Sequence, residues 1–282
     1  MMFNIVSFSG GRTSAYMVYL IEEMRKRGDI DNVHYVFMDT GAEHPKTYEF
    51  VKNVVNHFDI DLKCIMAKIN PEHGIGTTYE RVALSDVGYS LDVWKSFVDK
   101  YGTPYAHLAH CTKMMKTEPY NKFCNEMFGK GNYISWLGIR IDEPKRLRPR
   151  DDAKYLADIS DYEKLDILDF WRNQPFDLGI EEWLGNCVFC VKKGTNKIAL
   201  AAIDEPAMAR EFSDILASDS VKTLPSKTSP NECCYRGQTS IPQIIESFSG
   251  HSRSDIIAGL RPSSGACSES CEAFEFQIDM SK

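Results

Sequence analysis

Short apolar runs recur along the first half of the chain, separated by segments in which apolar and polar residues alternate at helical spacing. Four of these runs have the length and the β-branched or aromatic content of buried strands: residues 3–8, 34–39, 62–69 and 132–140. Each is too short to be a buried helix of ordinary length. They therefore predict four strands of one sheet.

Apolar residues at three- and four-residue steps predict a helix after each of the first two strands. The two apolar faces are Met17, Leu20, Ile21 and Met24, and Tyr48, Val51, Val55 and Phe58. We expect Thr13 or Ser14 to cap the first helix and Gly28 to end it. Pro45 suits the first position of the second helix because proline lacks the N–H that would be unsatisfied there.

Strand alternating with helix predicts an α/β fold, in which a parallel sheet carries helices on both faces. The pattern loses its regularity after about Asp142, beginning with a basic, proline-broken loop at residues 145–150. Residues 218–240 are rich in Ser, Thr, Pro and Cys, which is typical of loops. We predict an α/β domain over residues 1–180 and an irregular, cysteine-bearing C-terminal region over residues 181–282.

Charge and hydropathy narrow the class of partner. Lys and Arg number 33 against 40 Asp and Glu, so the net charge of −7 argues against non-specific nucleic-acid binding by the whole surface. A local basic patch stays compatible with that total. No apolar run approaches the ~20 residues of a membrane span, and the N-terminus lacks the basic region of a signal peptide. We expect a cytoplasmic protein without a membrane partner.

A glycine-rich loop, Ser9-Gly-Gly-Arg-Thr-Ser14, lies between the first strand and the first helix. In a parallel sheet, ligands bind at the carboxyl ends of the strands, where such a turn directs backbone N–H groups and a helix N-terminus at them. This arrangement suits phosphate, although neither G-x4-G-K-S/T nor GxGxxG occurs in the chain. A turn that only permits tight strand–helix packing is the alternative.

The second strand ends in the segment FMDTGAEHPKT, which places Asp39 and Thr40 at the same edge as the loop. The pairing of SGGxxS with DTGxxxPxT resembles the PP-loop ATP pyrophosphatases, specifically their phosphoadenosine-phosphosulfate reductase branch. Two further segments match in order, Cys111-x4-Lys116-x2-Pro119 and GIRIDEPKRL at 138–147, which is similar to GIRxxESxR. The resemblance covers residues 5–200 in pieces.

The resemblance implies a Rossmann-like, adenine nucleotide alpha hydrolase-like fold and a binding site for ATP or phosphoadenosine phosphosulfate. The implied contacts to the phosphate or sulfate end of the nucleotide are Ser7, Ser9, Gly10, Gly11, Arg12, Thr13 and Ser14. Further implied contacts are Asp39 and Thr40 near the ribose or phosphates, with Gly138 after the fourth strand.

Cations follow the fourth strand. The resemblance implies that Arg140 faces the transferring anionic group, where a bidentate guanidinium suits the chemistry better than an amine, and that Lys116 is a second catalytic cation. Four further cations follow in the same loop: Lys145, Arg146, Arg148 and Arg150. They either complete a cage around the anion or belong to a solvated loop. We expect Arg146 to contact the nucleotide and the last two residues to be solvated.

Nine cysteines in a reducing compartment indicate metal ligands, redox groups or buried apolar residues rather than disulfides. The spacing of Cys187 and Cys190 suits two thiolates on one metal ion or cluster, and also a redox-active dithiol. Cluster-bearing members of the resembled branch have a cysteine pair about 80 residues before such a motif, where this chain has His110-Cys111.

The resemblance therefore implies an iron–sulfur cluster on Cys111, Cys187 and Cys190, with zinc as the alternative. The fourth ligand is open among five residues: His110, Cys233, Cys234, Cys267 and Cys271. We name Cys267 as the fourth metal ligand. Cys271 is our candidate for the nucleophilic cysteine that reductases of the branch carry on a C-terminal segment. Cys64 and Cys124 are predicted to be buried in the core.

These features predict an enzyme similar to phosphoadenosine-phosphosulfate reductase, which acts at the phosphate–sulfate end of an adenine nucleotide and uses a thiol reductant such as thioredoxin. The alternative is an ATP-dependent sulfurtransferase with an iron–sulfur cluster. Such an enzyme adenylates a nucleic acid or a small molecule, using Mg²⁺ as ATP is cleaved, before sulfur from a donor replaces the activated oxygen. A non-catalytic, zinc-stabilised nucleotide-binding module is the second alternative. The sequence does not specify the oligomeric state.

Overall fold

The structure is a computed structural model that describes residues 2–105, 108–225 and 227–260. The predicted roles of Cys267 as a metal ligand and of Cys271 as a nucleophile lie outside the described residues.

One six-stranded sheet forms the centre of the protein. Its strands are β1 (Phe3–Phe8), β2 (Val33–Asp39), β3 (Leu62–Lys68), β4 (Thr78–Val82), β5 (Tyr133–Leu137) and β6 (Ala153–Tyr155). Their order is β4-β3-β2-β1-β5-β6, and every neighbouring pair is parallel except β3 and β4. The predicted α/β class is confirmed, and the antiparallel β4 and the short β6 add an edge strand on each side.

The order of the strands creates a switch point beside β1. The chain runs outward from β1 through β2 to β3 on one side, and it returns to the other side of β1 with β5. The loops after β1 and β5 therefore leave the sheet in opposite directions, and the carboxyl ends of these strands border the crevice in which α/β proteins bind ligands.

The helices are connected by loops of varied length, with one π-helical turn in the middle of the chain. The first six helices are α1 (Arg12–Arg27), α2 (Pro45–Phe58), α3 (Asp92–Tyr101), α4 (His110–Thr112), α5 (Glu118–Phe128) and α6 (Lys164–Arg172). The last four are α7 (Thr195–Asp204), α8 (Pro206–Leu216), α9 (Ile241–Ser247) and α10 (Arg253–Ala258). The π-helical turn spans Lys113–Thr117, and short 3-10 turns span Leu156–Asp158 and Glu182–Leu184.

The ends of α1 and α2 test the predicted helix signals. Gly28 ends α1 in the left-handed conformation with φ +80°, and Pro45 opens α2, as predicted. The predicted N-cap of α1 was wrong. Gly11 occupies the N-cap position, and no side chain makes a capping hydrogen bond there. The helix begins at Arg12, so Thr13 and Ser14 lie within its first turn and their hydroxyls serve other contacts.

Helices cover both faces of the sheet. On one face, α1, α2 and α6 pack Ile21, Val51 and Trp171 into the same cluster as Phe8 of β1. On the other face, α5 packs Tyr120, Phe123 and Cys124 against β1, β2 and β3. Cys64 of β3 and Cys124 are 3% and 0% exposed, in agreement with their predicted place in the core.

A further apolar cluster joins the C-terminal helices to the sheet's edge. It contains Trp94 of α3, Leu200 of α7, Phe212 of α8 and the residues Val188 and Phe189 of the cysteine-bearing loop. Packing in this cluster positions the cysteine-bearing loop at the carboxyl edge of the sheet. The division of the chain at residue 180 stays a prediction. In the described part of the chain, none of the helices has the length and apolar content that crossing a membrane requires.

Candidate functional site

The loop after β1 is held in shape by its own side chains. The Ser14 hydroxyl lies 2.9 Å from the Ser9 hydroxyl, accepts a hydrogen bond from the Ser9 N–H at 3.1 Å and donates to the Gly11 carbonyl at 3.0 Å. Gly10 has φ +82°, and a Cβ there would lie 2.9 Å from Cγ2 of Thr47. Only glycine meets both conditions without displacement of a neighbour, so the Gly10 position fixes the turn.

The N-terminus of α1 follows this turn and has the properties of an anion site. Its first turn contains no acidic residue. The helix dipole and the first-turn N–H groups favour a negatively charged ligand at this end. The hydroxyl of Thr13 accepts a hydrogen bond from Nη1 of Arg140 at 3.1 Å. This bond joins the loop after β1 to the cation that follows β5.

The Arg140 guanidinium is positioned by two further residues of its own loop. Its Nε and Nη2 donate to the two carboxylate oxygens of Asp142 at 2.7 and 3.2 Å. Glu143 accepts a hydrogen bond from the Arg140 backbone N–H at 3.1 Å and one from Nη1 of Arg146 at 2.6 Å. Because Glu143 is 4% exposed and contacts both arginines, it holds the two predicted cations together.

The other cations of this loop separate into exposed positions. Lys145, Arg148 and Arg150 are exposed, and Arg150 forms a bidentate ion pair with Asp152 at 2.8 and 2.7 Å. The buried members of the predicted cage are therefore Arg140 and Arg146. Gly138 is the first residue after β5 and begins the turn that leads to Arg140.

Arg12 forms an ion pair in the structure, and its predicted contact with the nucleotide stays a prediction. Its Nε and Nη2 donate to the Asp177 carboxylate at 2.7 and 2.8 Å, and its carbonyl accepts from Nε1 of Trp171 at 2.9 Å. Burial raises the pKa of Asp177, but the hydrogen bonds and charge of Arg12 together with the N–H groups of Leu178 and Gly179 leave the pKa below its usual value. The Arg12 guanidinium therefore anchors the segment after α6 to the loop.

A narrow cleft runs between the glycine-rich loop and the segment after α6. Ser9, Gly10 and Gly11 line one side, and Leu178, Ile180, Glu181, Glu182, Gly185 and Asn186 line the other.

Asp39 ends β2 beside this loop and is fully buried. Its Oδ1 accepts hydrogen bonds from the Gly41 N–H at 2.8 Å and from the Tyr48 hydroxyl at 3.0 Å. Its Oδ2 is buried and accepts no hydrogen bond of normal geometry within the described ranges, although the Gly88 N–H lies near enough to the carboxylate to lower its pKa. Burial, and then the negative charge of Glu43, raise the pKa of Asp39 from 3.8 to about 6. An unsatisfied buried acceptor is costly, so a donor on a ligand would stabilise this side chain.

Gly41 fixes the turn that follows Asp39 and Thr40. It has φ +72°, and a Cβ at this position would lie 1.9 Å from the carbonyl oxygen of Ser90. The Ser90 N–H also donates to the Gly41 carbonyl at 2.9 Å. The backbone of the loop before α3 therefore lies directly against Gly41, where no side chain fits.

Glu43 is a buried carboxylate that the sequence analysis did not select. It accepts hydrogen bonds from the Thr40 hydroxyl at 2.8 Å and the Tyr48 hydroxyl at 3.0 Å, and it lies 3.8 Å from Nζ of Lys116. The carboxylate oxygen that faces Lys116, Oε1, also lies 3.9 Å from Sγ of Cys187. Glu43 thus connects the end of β2 to the π-helical turn and to the cysteines. Its position inside the DTGxxxPxT segment is the signal that could have identified it.

The three predicted metal-ligating cysteines line one small cavity. Cys111, Cys187 and Cys190 share this cavity with Thr40 and the two lysines Lys116 and Lys192. The cysteine-bearing loop is anchored to the end of β2, since the Val188 N–H donates to the Ala42 carbonyl at 2.9 Å. The fold thus brings together three thiols that lie in two distant segments of the chain.

The thiols of the described cysteines are not joined in disulfides. Across the described ranges, no three His, Cys, Asp or Glu side chains are arranged to hold a metal ion. The donor chemistry of Cys111, Cys187 and Cys190 nevertheless suits a soft metal or an iron–sulfur cluster. Burial raises the pKa of Cys64 and of Cys124 to about 12, so these two core thiols stay protonated.

The fold and this edge define an α/β protein with a glycine-rich loop and a helix N-terminus at the switch point of a mostly parallel sheet. The chain belongs to the phosphoadenosine phosphosulfate reductase domain family, whose family model matches residues 4–154. The family assignment made from the sequence motifs is thereby confirmed, and with it the adenine nucleotide as the ligand class of the family.

Three proteins with similar sequences extend the comparison. The chain is 47% identical over 285 residues to the uncharacterized nin region protein ORF290 of Escherichia phage lambda, covering 99% of this chain and 97% of that protein. It is 29% identical over 137 residues to the uncharacterized protein MJ0066 of Methanocaldococcus jannaschii, which covers 48% and 22% of the two chains. A second protein of that organism, MJ0973, is 25% identical over 196 residues, or 65% and 40%.

Proposed function

We propose that the chain is an enzyme that binds ATP or phosphoadenosine phosphosulfate at the carboxyl edge of the sheet and acts at the phosphate or sulfate end. The observation that carries this proposal is the hydrogen bond between Thr13 and Arg140. Through it, a helix N-terminus and a buried guanidinium face the same position. An anionic group bound there meets backbone donors from one side and a planar cation from the other.

Asp39 supports the orientation of the nucleotide. Its Oδ2 is buried and accepts no hydrogen bond of normal geometry from the described residues, and a ribose hydroxyl would supply the missing donor. The phosphates would then extend from the end of β2 toward the first turn of α1. In this orientation Ser9, Gly10 and Gly11 surround the phosphates, while Thr40 lies between the nucleotide and the thiols.

The expected chemistry is stabilisation of charge on the group that leaves or transfers. Donors that are held in place before the reaction stabilise developing charge without having to reorganise. Arg140 is held by Asp142 and Thr13, and Lys116 is held near Glu43. Both cations are therefore fixed before a substrate arrives, as this kind of catalysis requires.

Two reaction classes use this arrangement. In the first, the sulfonate of phosphoadenosine phosphosulfate is reduced to sulfite at the expense of a thiol reductant such as thioredoxin. In the second, ATP adenylates an acceptor with Mg²⁺ and releases pyrophosphate, and sulfur from a donor replaces the activated oxygen. The thiol-lined cavity beside Thr40 is the reason to retain the second class. It places sulfur ligands inside the described fold, next to the carboxyl edge of the sheet where we propose that the nucleotide binds.

We also propose that Cys111, Cys187 and Cys190 bind an iron–sulfur cluster. Their shared cavity supports this proposal, as do Lys116 and Lys192, whose positive charges offset those of the thiolates. A bound cluster would supply a centre for electron transfer or for sulfur ligation. The polypeptide's own part is to hold the thiols next to Thr40 and to exclude bulk water with the surrounding apolar side chains.

The test is a product assay on the anaerobically purified chain. Sulfite released from phosphoadenosine phosphosulfate with a dithiol supports the first class, and Mg²⁺-dependent pyrophosphate released from ATP supports the second. Thr13→Val removes the hydroxyl that accepts from Arg140 and should lower turnover about 10-fold, on the scale of one charge-assisted hydrogen bond.

Thr103→Val is the matched control for Thr13→Val. Thr103 is fully buried and its hydroxyl has no hydrogen-bond partner within the described part of the chain. The substitution should leave turnover unchanged. Nucleotide binding without turnover of either compound, together with bound zinc, would replace the enzyme with a zinc-stabilised binding module.

A further inference from the structure

The segment between α8 and α9 brings another thiol into the apolar cluster that surrounds the cysteine-bearing loop. Cys234 is 0% exposed and belongs to the same apolar cluster as Cys187, against which Cys111 and Cys190 also pack. The next residue, Tyr235, is 2% exposed and lies in the same cluster. Its hydroxyl donates to the Phe189 carbonyl at 2.9 Å, inside the turn that carries Cys187 and Cys190. Cys234 is therefore held beside the three thiols by the contact of Tyr235 with the turn.

The other described candidates for a fourth ligand point elsewhere. The ring of His110 packs 5.1 Å from that of Phe97, and its Nδ1 lies 3.1 Å from the Leu108 carbonyl oxygen. Cys233 directs its Sγ to the side-chain oxygen of Gln243 at 3.8 Å.

We propose that Cys234 is the fourth protein ligand of the cluster and completes a four-thiolate site with Cys111, Cys187 and Cys190. This assignment rests on the proposed cluster. Cys234 would take the place of the cysteine that cluster-bearing members of the family have where this chain has His110. Four thiolates are the usual ligand set of an iron–sulfur cluster. The site would be formed from three segments that only the folded chain brings together.

The charges around the site agree with this assignment. Four thiolates around a cluster leave a negative site, which a low-dielectric interior disfavours unless cations are close. Lys116 and Lys192 line the same cavity and provide that compensation. A single zinc ion would instead require the ligands to lie about 2.3 Å from one point. Within the described ranges no three such side chains are grouped around one point, and the cysteines of a cluster bind different iron atoms. We therefore assign a cluster, and zinc would overturn the assignment.

The experiment compares single variants of the full chain after anaerobic purification, with iron, acid-labile sulfide, zinc and visible absorbance as readouts. Cys187→Ser and Cys234→Ser should both lose most of the iron together with the absorbance. Cys233→Ser, one residue away, should keep the iron content of the parent.

Each other outcome overturns a defined part of the account. Loss of iron in Cys187→Ser but not in Cys234→Ser would overturn the assignment of Cys234 and leave the cluster. A parent chain that contains zinc and no iron, or no metal, would overturn the cluster itself. Nucleotide binding, measured on the same samples by calorimetry, tests the nucleotide site independently of both results.

A second pair of variants separates ligand loss from misfolding. Cys234→Ala introduces no polar group into the core, and circular dichroism shows whether it is folded. Cys124→Ser is a matched control, because Cys124 is also 0% exposed but lies in the α5 face of the sheet. A folded Cys234→Ala variant that keeps the iron content of the parent would overturn the proposal, whatever Cys234→Ser does.

Discussion

The proposed nucleotide site, at the carboxyl edge of the sheet and called the nucleotide edge below, lies beside the cysteine cavity. The two regions are built in different ways. The nucleotide edge uses residues that directly follow β1, β2 and β5, and parallel strands bring such residues to one edge whatever the loops do. The cavity uses loops and a π-helical turn, which meet only because apolar residues such as Val188, Phe189 and Tyr235 pack in one cluster. Sheet topology thus positions the first site, and side-chain packing positions the second.

Gly41 lies between the two regions, so its substitution should have the largest effect. Gly41→Ala places a Cβ 1.9 Å from the Ser90 carbonyl at φ +72°. Left-handed strain of about 1–2 kcal/mol and overpacking of about 1–3 kcal/mol add, so the free energy of unfolding should fall by about 3 kcal/mol or more. Thermal or urea unfolding measures this loss.

Gly76→Ala is the control for Gly41→Ala, because a Cβ at Gly76 meets no atom within 4 Å. It should change the free energy of unfolding by less than about 0.5 kcal/mol. If the folded fraction of Gly41→Ala loses both nucleotide binding and iron, the nucleotide edge and the cysteine cavity depend on the same turn. Equal stability of the two variants would contradict the close approach of Ser90.

Gly10→Ala should affect the nucleotide edge alone. The new Cβ would lie 2.9 Å from Thr47 and 3.2 Å from Val51 at φ +82°, which forces the loop to move. Calorimetry should detect no binding of ATP or phosphoadenosine phosphosulfate, while iron content stays at the parent level. Gly28→Ala has nearly the same φ, +80°, but meets no atom within 4 Å. It should cost about 1 kcal/mol of stability and leave nucleotide affinity unchanged.

Arg140→Lys should weaken nucleotide binding about 10-fold, or about 1.4 kcal/mol. Lysine keeps the charge but cannot bond Asp142 and Thr13 together as the guanidinium does. Arg253→Lys is the matched control, since Arg253 also bonds a carboxylate through two nitrogens, that of Asp204 at 2.9 and 3.1 Å, away from the loop. Equal nucleotide affinities of the two variants would remove Arg140 from the site.

Asp39→Asn should change how stability depends on pH. Because the pKa of Asp39 is about 6 in the folded chain against 3.8 without the fold, the folded state binds more protons between these values. The contribution of Asp39 to stability is therefore present at low pH and declines as the pH rises from about 4 to 6. The stability of Asp39→Asn relative to the parent should rise over this window, by at most about 3 kcal/mol, and then stay constant.

Urea unfolding of both chains at several pH values measures this difference. Asn retains an oxygen that accepts from Gly41 and Tyr48, so the main change is the loss of the charge. A stability difference that does not change between pH 4 and 7 would show that Asp39 is ionised throughout. Glu43 would then not raise its pKa as described.

The parts of the fold that could be predicted are those with a local signal. Gly10, Asp39 and Thr40 lie in contiguous motifs directly after apolar runs, and the sheet brings them together without further information. The edge strands were missed for physical reasons: β4 is TYERV, which is largely polar and has no buried residue, and β6 has only three residues.

The buried carboxylates and Cys234 had no comparable signal. An acidic residue in a loop usually indicates solvent exposure, so Glu43 and Glu143 were passed over although both lie inside the quoted motif segments. Their burial against cations became evident only in the fold. Cys234 is far from the CxxC motif in sequence, and no ligand spacing relates the two. Its position depends on how Tyr235 packs against Phe189, which is a property of the folded core.

A crystal structure of the chain with bound ATP or phosphoadenosine phosphosulfate tests the central claim most directly. The account predicts that the phosphate or sulfate end lies within hydrogen-bond distance of the first-turn N–H groups of α1 and of the Arg140 guanidinium. It also predicts a ribose hydroxyl on Oδ2 of Asp39. A nucleotide bound at the opposite edge of the sheet, or with its phosphates away from α1 and Arg140, would contradict the account.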